Sequence, residues 1–289
     1  MERLKRIAAI NDISGLGKCS LTIALPVISA SGVECSCIPT ALLSTHTGEF
    51  QNWTKVDLSS QMLKIAEHWR EIGAKFDGIC SGYLASPAQA NLVSEIIDIL
   101  ADENTLIITD PTMADNGEYY TGFDNSMCEA FKTLCKRAMV ITPNITEAAF
   151  LSGVPYKKPP QDREYVEELF AALATLGPKI IAITGIHTKN EEVGIIVKDL
   201  RNGKSCEEMR PQRGGVFYGV GDIFASAFSA LLVRGATIPE ALSASGLLLE
   251  KSIEKSYLGD TPRRFGVEFE TVLPEYIRKV EDIFSSKAF

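Results

Sequence analysis

Gly214-Gly215-Val216-Phe217-Tyr218-Gly219-Val220-Gly221-Asp222-Ile223-Phe224-Ala225-Ser226-Ala227-Phe228 is the stretch around which the rest of this sequence is organised. Gly219 and Gly221 allow positive φ and a close approach of the backbone to a ligand. Apolar residues recur at helical spacing after Asp222, so a helix begins here, and the N–H groups of its first turn form an anion site. Asp222 lies in that turn, where the helix dipole stabilises a carboxylate. A capped helix after a loop would also explain Asp222, but a cap does not require both glycines.

This turn predicts phosphoryl transfer to an alcohol. Backbone amides would hold the charge of the transferring group, while the carboxylate would take the proton of the hydroxyl group.

The composition is that of an ordinary globular enzyme. The chain has 289 residues, 45% hydrophobic and 23% charged, which suits one large α/β domain or two small ones. A formal charge of −8 with no basic stripe argues against a nucleic-acid surface. Since no repeat, low-complexity tract or linker divides the sequence, we predict a single domain over residues 1–289.

The sequence contains no membrane or export signal. Residues 7–10 form only a short apolar run, which predicts a buried strand and not a signal peptide. No apolar stretch reaches the roughly 20 residues needed to cross a bilayer.

The cysteines and histidines do not form a metal-binding pattern. The histidines His46, His68 and His187 are far apart and lack zinc-ligand spacing. An odd number of scattered cysteines predicts reduced thiols in a cytoplasm. The cysteines are Cys19, Cys35, Cys37, Cys80, Cys128, Cys135 and Cys206.

The first predicted strand, residues 4–10, is followed by a polar turn and a helix over residues 18–30. Gly15-Leu16-Gly17-Lys18 is reminiscent of a P-loop, but the first glycine of that motif is missing, and no dinucleotide fingerprint is present. Asn11, Asp12 and Ser14 would then lie at the carboxyl end of a strand, where open α/β sheets bind ligands. Turn formation and helix capping remain an alternative.

A polar run follows the second predicted strand, residues 33–39. Residues 42–50 contain several hydroxyl groups and His46, with Trp53 close behind. Hydroxyl donors beside an aromatic residue suit a small heteroaromatic substrate, although a solvated loop would have the same composition.

Acidic residues follow two later strands. Asp110 comes directly after the strand at residues 105–109 and is a candidate for holding a metal on a nucleotide. Asp115 and Tyr119-Tyr120 follow in a loop that could close over phosphates. Asn144 and Glu147 open a helix with the spacing of a capping box. The alternative is that Glu147 is a second carboxylate for the same cation.

Strands and helices alternate along most of the chain. This order predicts an α/β fold in which a mostly parallel central sheet is covered by helices on both faces, as a three-layer sandwich. Residues 191–197 and 205–210, joined by Asn202-Gly203, add a small antiparallel ribbon. The polar strand ends and Asp222 would gather along one edge of the sheet.

Over roughly residues 7–255 the chain resembles the ribokinase-like superfamily, and within it the pyridoxal/pyridoxamine kinases. The most specific match is Gly219-Val220-Gly221-Asp222, supported by Asp110-Pro111-Thr112-Met113 and Thr142-Pro143-Asn144-Ile145-Thr146-Glu147. Ser81-Gly82-Tyr83-Leu84 and Ser44-Thr45-His46-Thr47-Gly48 are similar to the vitamin kinases in particular.

The resemblance implies ATP-dependent phosphorylation of the 5′-hydroxymethyl group of a B6 vitamer (pyridoxal, pyridoxamine or pyridoxine), in salvage of pyridoxal 5′-phosphate. It implies ATP and Mg²⁺ as cosubstrate and cofactor and a homodimer, and it leaves open whether a monovalent cation such as K⁺ assists. Neither a nucleic acid nor a membrane is expected as a partner.

The resemblance also implies site roles. Asp222 is expected as the base, with Gly219, Val220 and Gly221 as the anion hole. The residues expected around the vitamer are Ser14, His46, Thr47, Tyr83 and Asp222. Those expected around ATP are Asp110, Asp115, Tyr119 or Tyr120, Asn144, Glu147, Thr184, Gly185, Val216, Phe217 and Tyr218. Asp110 and Glu147 are expected to organise Mg²⁺.

The sequence departs from the family at two places. Pyridoxal kinases often carry Ser-His or Ser-Arg where this chain reads Asn11-Asp12-Ile13-Ser14, and the family more usually has Pro-Val-Met-Gly after the aspartate at position 110. Because the first turn bounds the ring pocket, the preferred vitamer stays open.

Three other functions have sequence features that can be compared with this chain. Hydroxymethylpyrimidine (phosphate) kinases of the same fold usually carry cysteine at the position of Asp222 and lack the loop of residues 44–48. Sugar kinases usually have adjacent glycines early in the chain, where Gly15 and Gly17 are separated here. A non-catalytic vitamin-binding regulator is the alternative from another class, and the intact Asp222, Asp110 and Glu147 argue against it.

Overall fold

The computed structural model describes residues 3–285, so the ends of the predicted domain, residues 1–2 and 286–289, lie outside the described part. The strands are β1 (Arg6–Ser14), β2 (Glu34–Leu43), β3 (Lys55–Asp57), β4 (Gly78–Ser81), β5 (Leu106–Thr109), β6 (Ala114–Asp115), β7 (Glu118–Tyr119), β8 (Val140–Ile141), β9 (Ile180–His187), β10 (Glu192–Asp199) and β11 (Lys204–Pro211). The helices are α1 (Leu21–Ala30), α2 (Ser59–Glu71), α3 (Gln89–Leu100), α4 (Asn125–Cys135), α5 (Ile145–Ser152), α6 (Arg163–Ala174), α7 (Val220–Arg234), α8 (Ile238–Leu258) and α9 (Leu273–Ser285), with a 3₁₀ turn at Arg263–Phe265.

A nine-stranded sheet in the order β11-β10-β9-β8-β5-β4-β1-β2-β3 forms the middle of the fold. The strands from β9 through β2 in this order are all parallel. At the two ends of the sheet, β3 pairs antiparallel with β2, and β10 pairs antiparallel with both β9 and β11. This confirms the predicted α/β fold, including the ribbon at β10 and β11.

The sheet is buried on both faces because its strands are apolar on both sides. In β1, Ala8 and Ile10 pack into one core cluster, while Ile7 and Ala9 pack into the other. Helices α2 to α6 cover the first face, and α1, α7, α8 and α9 cover the second. Burial on two faces explains why the strands read as continuous apolar runs.

Several predicted boundaries were wrong, and some elements were not predicted. Strand β1 continues to Ser14, because Asn11 and Ile13 still pair with β2 across a bulge. Helix α1 begins only at Leu21, and β9 continues to His187. Helix α4, strand β3 and the β6–β7 hairpin were not predicted. Trp69 is half-buried, packs against the first core cluster and stacks on Phe76 with ring centroids 5.2 Å apart.

The described residues contain no helix that is both long and apolar enough to cross a membrane. All seven cysteines are free thiols.

Candidate active site

The carboxyl ends of the parallel strands meet at one edge of the sheet. The pairing continues past the strand ends: Asp110 donates its N–H to the Ser81 carbonyl at 2.8 Å. Thr142 donates to the Thr109 carbonyl at 3.1 Å, and Thr184 to the Pro143 carbonyl at 3.0 Å. This backbone ladder fixes the polar residues after β4, β5 and β8 in a single row.

Helix α7 points its N-terminus at this row. Its N-cap, Gly219, has φ 84° and ψ 0°, and no side chain caps the helix. A Cβ at Gly219 would lie 2.5 Å from the Lys18 carbonyl oxygen, so only glycine fits. The first-turn amides of Val220, Gly221 and Asp222 therefore have no side-chain cap and can receive an anion.

The carboxyl group of Asp222 is half-buried in the first turn of α7. Burial is the largest cause that raises its pKa from 3.8 to about 7, and the charges of Asp110 and Asp12 raise it further. A hydrogen bond from the Ser20 backbone N–H acts in the opposite direction. A base with a pKa near neutrality is well matched to proton abstraction at physiological pH.

Asp110 and Asp222 both line one small cavity, whose wall also includes apolar side chains. The two carboxylates line this cavity together with Asn11, Ser81 and Ser226. The hydroxyl groups of Thr142 and Thr112 donate to the Asp110 carboxylate at 2.7 and 3.1 Å. Burial raises the pKa of Asp110 to about 6 in spite of these bonds.

Asn144 and Glu147 form a capping box, which is one of the two roles that the sequence allowed for them. The Asn144 side-chain oxygen accepts from the N–H groups of Thr146 and Glu147 at 2.8 and 2.9 Å. The Glu147 carboxylate accepts from the Asn144 N–H at 2.8 Å and from the Met113 N–H at 3.0 Å. Burial, and next the charge of Asp110, raise the pKa of Glu147 well above its usual range.

The prediction that Asp110 and Glu147 organise a metal ion stays a prediction. Glu147 is buried, and each of its oxygens accepts from a backbone N–H, which favours the capping role for this residue. No group of three or more acidic, histidine or cysteine residues in the described part of the chain could hold an ion. A single carboxylate such as that of Asp110 is chemically suited to Mg²⁺, which usually keeps water and substrate phosphates as its other ligands.

The loop after β5 brings a tyrosine among these carboxylates. Tyr120 is half-buried, and burial is the largest cause that raises the pKa of its hydroxyl group. Four negative charges raise this pKa further, those of Glu147, Asp115, Asp222 and Asp110. Tyr119 packs instead on Phe150, with ring centroids 4.6 Å apart. Of the two tyrosines left open by the sequence, the structure places Tyr120 beside Asp222. Asp115 is exposed and accepts from the Asn116 N–H at 2.8 Å.

His46 is fixed in the loop after β2. Its Nδ1 accepts from the Gly48 N–H at 3.1 Å, so its Nε2 donates to the Arg264 carbonyl at 2.6 Å. Burial lowers the pKa of this imidazole. His46 is therefore a neutral ring with one fixed tautomer.

The ring of Tyr218 stacks on His46, with centroids 4.8 Å apart. A Cβ at Gly48 would lie 2.5 Å from the Tyr218 ring. Tyr218 therefore lies beside the predicted substrate loop, and its expected position beside adenine and ribose stays a prediction. Val216 is exposed, and Phe217 is covered by the Arg263 guanidinium at 4.6 Å from the ring centroid.

The other predicted substrate residues lie nearby with different exposure. Ser14 is buried, and its hydroxyl group donates to Asp12 at 3.0 Å. Tyr83 is half-buried, stacks on Phe123 at 5.5 Å, and its pKa is raised to about 12 by burial and then by the charge of Asp12. Thr47 is half-buried in the same loop as His46.

On the predicted nucleotide side, Thr184 and Gly185 are half-buried within β9. Thr184 pairs with Asn144 in an isolated parallel bridge, which places both beside the row of strand ends. Gly185 has φ 67°, a conformation that favours glycine.

Two residues that the sequence placed at a strand end without a role hold the site together. Asn11 accepts from the Tyr83 N–H at 2.8 Å, and Asp12 is buried and accepts from the Ser14 hydroxyl group at 3.0 Å. Nothing in the sequence distinguishes Ser20, whose backbone has a positive φ of 52° just before α1.

Comparison with known proteins identifies related kinases. Residues 24–261 match the model of a family described as phosphomethylpyrimidine kinase. A Bacteroides thetaiotaomicron protein provisionally described as a phosphomethylpyrimidine kinase is 32% identical and superposes with a TM-score of 0.90, covering 95% of this chain and 94% of that one. An orthorhombic crystal form of it, with pyridoxal, gives a TM-score of 0.89 at 32% identity, covering 95% of this chain and 96% of that one.

Two pyridoxal kinases are also similar to the chain. The structure of pyridoxal kinase from Lactobacillus plantarum has a TM-score of 0.86 and 29% identity, covering 97% of this chain and 99% of that one. The pyridoxal kinase PdxY of Actinobacillus succinogenes is 26% identical over 227 residues, 75% of this chain and 77% of its own length.

Proposed function

We propose, from the premise that the chain belongs to the phosphomethylpyrimidine kinase family, that it transfers the γ-phosphoryl group of ATP to the 5′-hydroxymethyl group of a B6 vitamer. The product would be the vitamer 5′-phosphate, in salvage of pyridoxal 5′-phosphate. One observation carries this proposal: the half-buried Asp222 lies in the first turn of a helix that no side chain caps.

Asp222 acts as the general base. Its carboxylate takes the proton of the 5′-hydroxyl group while the hydroxyl oxygen forms a bond to the γ-phosphorus. The bond from that phosphorus to the bridging oxygen of ADP breaks, and ADP leaves with the bond electrons. The amides of Val220 and Gly221 stabilise the charge on the transferring group, because they point out of an uncapped helix N-terminus.

The nucleotide lies over the ends of β5, β8 and β9. Asp110 is the carboxylate available to Mg²⁺, and the ion would neutralise charge on the ATP phosphates. Tyr120 and Asp115 lie in the loop above this position, and Asn144, Thr184 and Gly185 lie along its side. Val216 and Phe217 precede the anion hole and are placed to flank the nucleoside.

The vitamer lies against the loop that holds His46 and Thr47. A neutral His46, stacked on Tyr218, offers an aromatic wall, and Tyr83 offers another from the end of β4. Ser14 is buried behind these groups and acts through its bond to Asp12.

The relatives support a B6 vitamer over other alcohols. The Bacteroides structure with pyridoxal is 32% identical across nearly the whole chain, and the pyridoxal kinases of Lactobacillus plantarum and Actinobacillus succinogenes match most of it. The loop of residues 44–48 and the aspartate at position 222 point to the same branch of the family.

A hydroxymethylpyrimidine kinase is the second candidate. The description of the matched family favours it, because that description refers to the phosphorylated pyrimidine. The proposed base and anion hole would serve both reactions, so only the ring pocket separates the two activities.

A substrate panel decides between these functions. Purified protein with ATP and Mg²⁺ is offered pyridoxal, pyridoxamine, pyridoxine, hydroxymethylpyrimidine and ribose in parallel, and ADP release and the phosphorylated product are measured. We expect the highest kcat/KM with a B6 vitamer. A preference for the pyrimidine would support the second candidate, and no turnover with any alcohol would favour a non-catalytic vitamin-binding protein.

Cellular location and assembly are part of the same proposal. Seven free thiols are typical of a reducing compartment, so we place the protein in the cytoplasm. We expect a homodimer, which light scattering during size-exclusion chromatography would test.

A further inference from the structure

We propose that Arg263 is a positioning residue for the nucleotide: its guanidinium holds the exposed loop of residues 213–217 and keeps the ring of Phe217 beside the proposed nucleotide position. This inference rests on the proposed function, because it assigns a device to the nucleotide side of that site. Two sets of contacts carry it, those between Arg263 and the loop and those that fix the backbone around Arg263.

The loop before the proposed anion hole is exposed and rich in glycine. Residues 213–216 are all exposed, and a Cβ at Gly214 would meet nothing within 4 Å. The side chain of Val216 is 50% exposed. Glycine loses more conformational freedom on ordering than any other residue. A loop of this composition needs an anchor if it is to enter α7 along one fixed path.

Arg263 contacts three residues of this loop. Its Nη1 donates to the Gly214 carbonyl at 2.6 Å. A Cβ at Gly215 would collide with the same Nη1, so the guanidinium lies directly on the backbone of a residue with φ 108°. The guanidinium also covers the ring of Phe217, with Cζ 4.6 Å from the ring centroid. One planar group therefore fixes the loop backbone by hydrogen bonding and the Phe217 ring by stacking.

The end of α8 supplies a second ring to the same guanidinium. Tyr257 lies with its ring centroid 5.6 Å from Cζ of Arg263. Arg213, at the beginning of the loop, is 5.5 Å from the same centroid and pairs with Glu254 at 3.2 Å. Two glycines separate Arg213 from Phe217, so this second arginine ties the loop to α8 without fixing the ring.

The short turn that carries Arg263 is fixed to the segment before α1. It is the 3₁₀ turn Arg263–Phe265. The Phe265 carbonyl accepts from the Lys18 N–H at 3.0 Å. A Cβ at Gly266, which has φ 86°, would lie 2.7 Å from the Lys18 carbonyl oxygen, so the two segments approach closely. The Arg263 side chain therefore extends from a backbone that is held in place.

Two further bonds join the same turn to both loops of the site. The Arg264 carbonyl accepts from Nε2 of His46 at 2.6 Å, in the loop after β2. The Val267 N–H donates to the Tyr218 carbonyl at 3.2 Å, directly after the exposed loop. Both bonds use backbone atoms of the turn, so they remain when the Arg263 side chain is removed. A change at Arg263 should therefore affect the nucleotide side and spare the vitamer side.

A preformed loop favours binding. When a loop becomes ordered only as the ligand arrives, the cost of ordering is subtracted from the binding free energy. Without the contacts of Arg263, ATP itself would have to order residues 213–217. Binding of ATP should then weaken, whereas the chemical step at Asp222, within α7, should change little.

Arg263→Ala removes the bond to the Gly214 carbonyl and the stacking on Phe217. We expect the KM for ATP to rise about ten-fold, with kcat and the KM for the vitamer within about two-fold of the wild type, as when binding shared by ground state and transition state is lost. The Kd for a non-hydrolysable ATP analogue with Mg²⁺, measured by calorimetry, should rise by the same factor.

Phe217→Leu tests whether Arg263 acts through this ring. We expect it to raise the KM for ATP as Arg263→Ala does. In the double variant, Arg263→Ala should add less than about three-fold to the effect of Phe217→Leu, because both changes remove the same contact. Effects that multiply in full would mean that Arg263 acts on ATP without Phe217.

Arg234→Ala is the matched control at the other end of α7. Arg234 donates to the Ser31 carbonyl at 2.9 Å and covers the Phe284 ring at 4.0 Å, which are the same two kinds of contact. Its loss should lower thermal stability and leave both KM values within about two-fold of the wild type. Thermal unfolding shows which variants are folded. Should Arg263→Ala not fold, Arg263→Gln, which also removes the stacking guanidinium, is measured in its place.

Three outcomes would overturn the inference: a wild-type KM and Kd in the folded Arg263 variant, an equal rise in the KM values for ATP and the vitamer, or fully multiplicative effects of Arg263→Ala and Phe217→Leu. The wild type is assayed first, with the substrate panel. If it phosphorylates no B6 vitamer, the proposed function is wrong. If it does and Arg263 behaves in one of these three ways, only the role of Arg263 is wrong.

Discussion

Gly219 packs on the carbonyl oxygen of Lys18 so closely that a Cβ on the glycine would lie 2.5 Å from that oxygen. This contact joins the segment before α1 to the N-terminus of α7 and shapes the proposed anion hole. The left-handed φ of 84° at Gly219 turns the chain into the helix, so the first amides of α7 face the strand ends.

Substitution of Gly219 should therefore damage both stability and catalysis. Gly219→Ala introduces backbone strain and a collision with Lys18, so we expect a loss of more than about 2 kcal/mol in the free energy of unfolding and a fall in kcat. Gly235→Ala, at the other end of α7, is the control. Its φ is 99°, but a Cβ there meets nothing within 4 Å, so strain alone should cost about 1 to 2 kcal/mol with kcat unchanged. Denaturant titration and steady-state kinetics measure both, and equal effects in the two variants would contradict this account.

The rate should depend on the ionisation of Asp222. Its pKa is raised to about 7, and only the ionised carboxylate accepts a proton. We expect kcat/KM to increase with pH through about 7 and then level off, as measured over pH 5 to 9 at saturating ATP. A kcat/KM that is constant across pH 6 to 8 would mean that another group controls the step.

The same shift in pKa has a consequence for stability. Because the folded-state pKa of Asp222 lies above its unfolded value of 3.8, the folded protein binds more protons between these values and loses stability as the pH rises through them. Asp222→Asn removes this cost and should be about 1 to 3 kcal/mol more stable than the wild type at pH 8, with a difference that vanishes near pH 4. Urea unfolding at both pH values measures it. Asp282→Asn, which changes an exposed carboxylate on α9, should show no such difference.

Asp110 and Glu147 should respond differently to substitution. Asp110 is half-buried and available to Mg²⁺, so Asp110→Asn should raise the Mg²⁺ concentration needed for half-maximal rate by about ten-fold or more. Glu147→Gln places an amide NH₂ opposite backbone N–H groups and should cost about 1 to 3 kcal/mol of stability with an unchanged Mg²⁺ requirement. Mg²⁺ titration of the rate and thermal unfolding separate the two effects. A shifted Mg²⁺ requirement in Glu147→Gln would restore the carboxylate pair as the metal site.

The fold could be predicted because short segments of the sequence indicate their own strands and helices. Apolar runs such as residues 7–10 and helices of clear periodicity such as α8 predict their own structure, and their alternation implies a parallel sheet. Helix α4 was missed although the sequence carries its signals, since Asp124 caps it and the buried Met127, Phe131 and Leu134 recur at helical spacing. The end of β1 was misplaced because a bulge carries the strand past a polar Asn11.

The sequence predicted those site residues that a local pattern marks, such as the end of a strand or the start of a helix. Asp222, Asp110 and the Asn144–Glu147 pair were found because each follows a strand or opens a helix. The stacking of Tyr218 on His46 joins loops far apart in the sequence, so no local pattern reveals it. The positive φ of 52° at Ser20 is equally hidden, because a serine does not by itself predict that conformation.

The most direct test of the central claim is a single-turnover measurement of phosphoryl transfer by Asp222→Asn, with ATP binding measured by calorimetry on the same sample. Asparagine keeps the shape of the side chain but cannot accept the proton. We expect the transfer rate to fall by about 100-fold or more while the Kd for ATP changes by less than about three-fold. Transfer within a few-fold of the wild-type rate would contradict the assignment of Asp222 as the base.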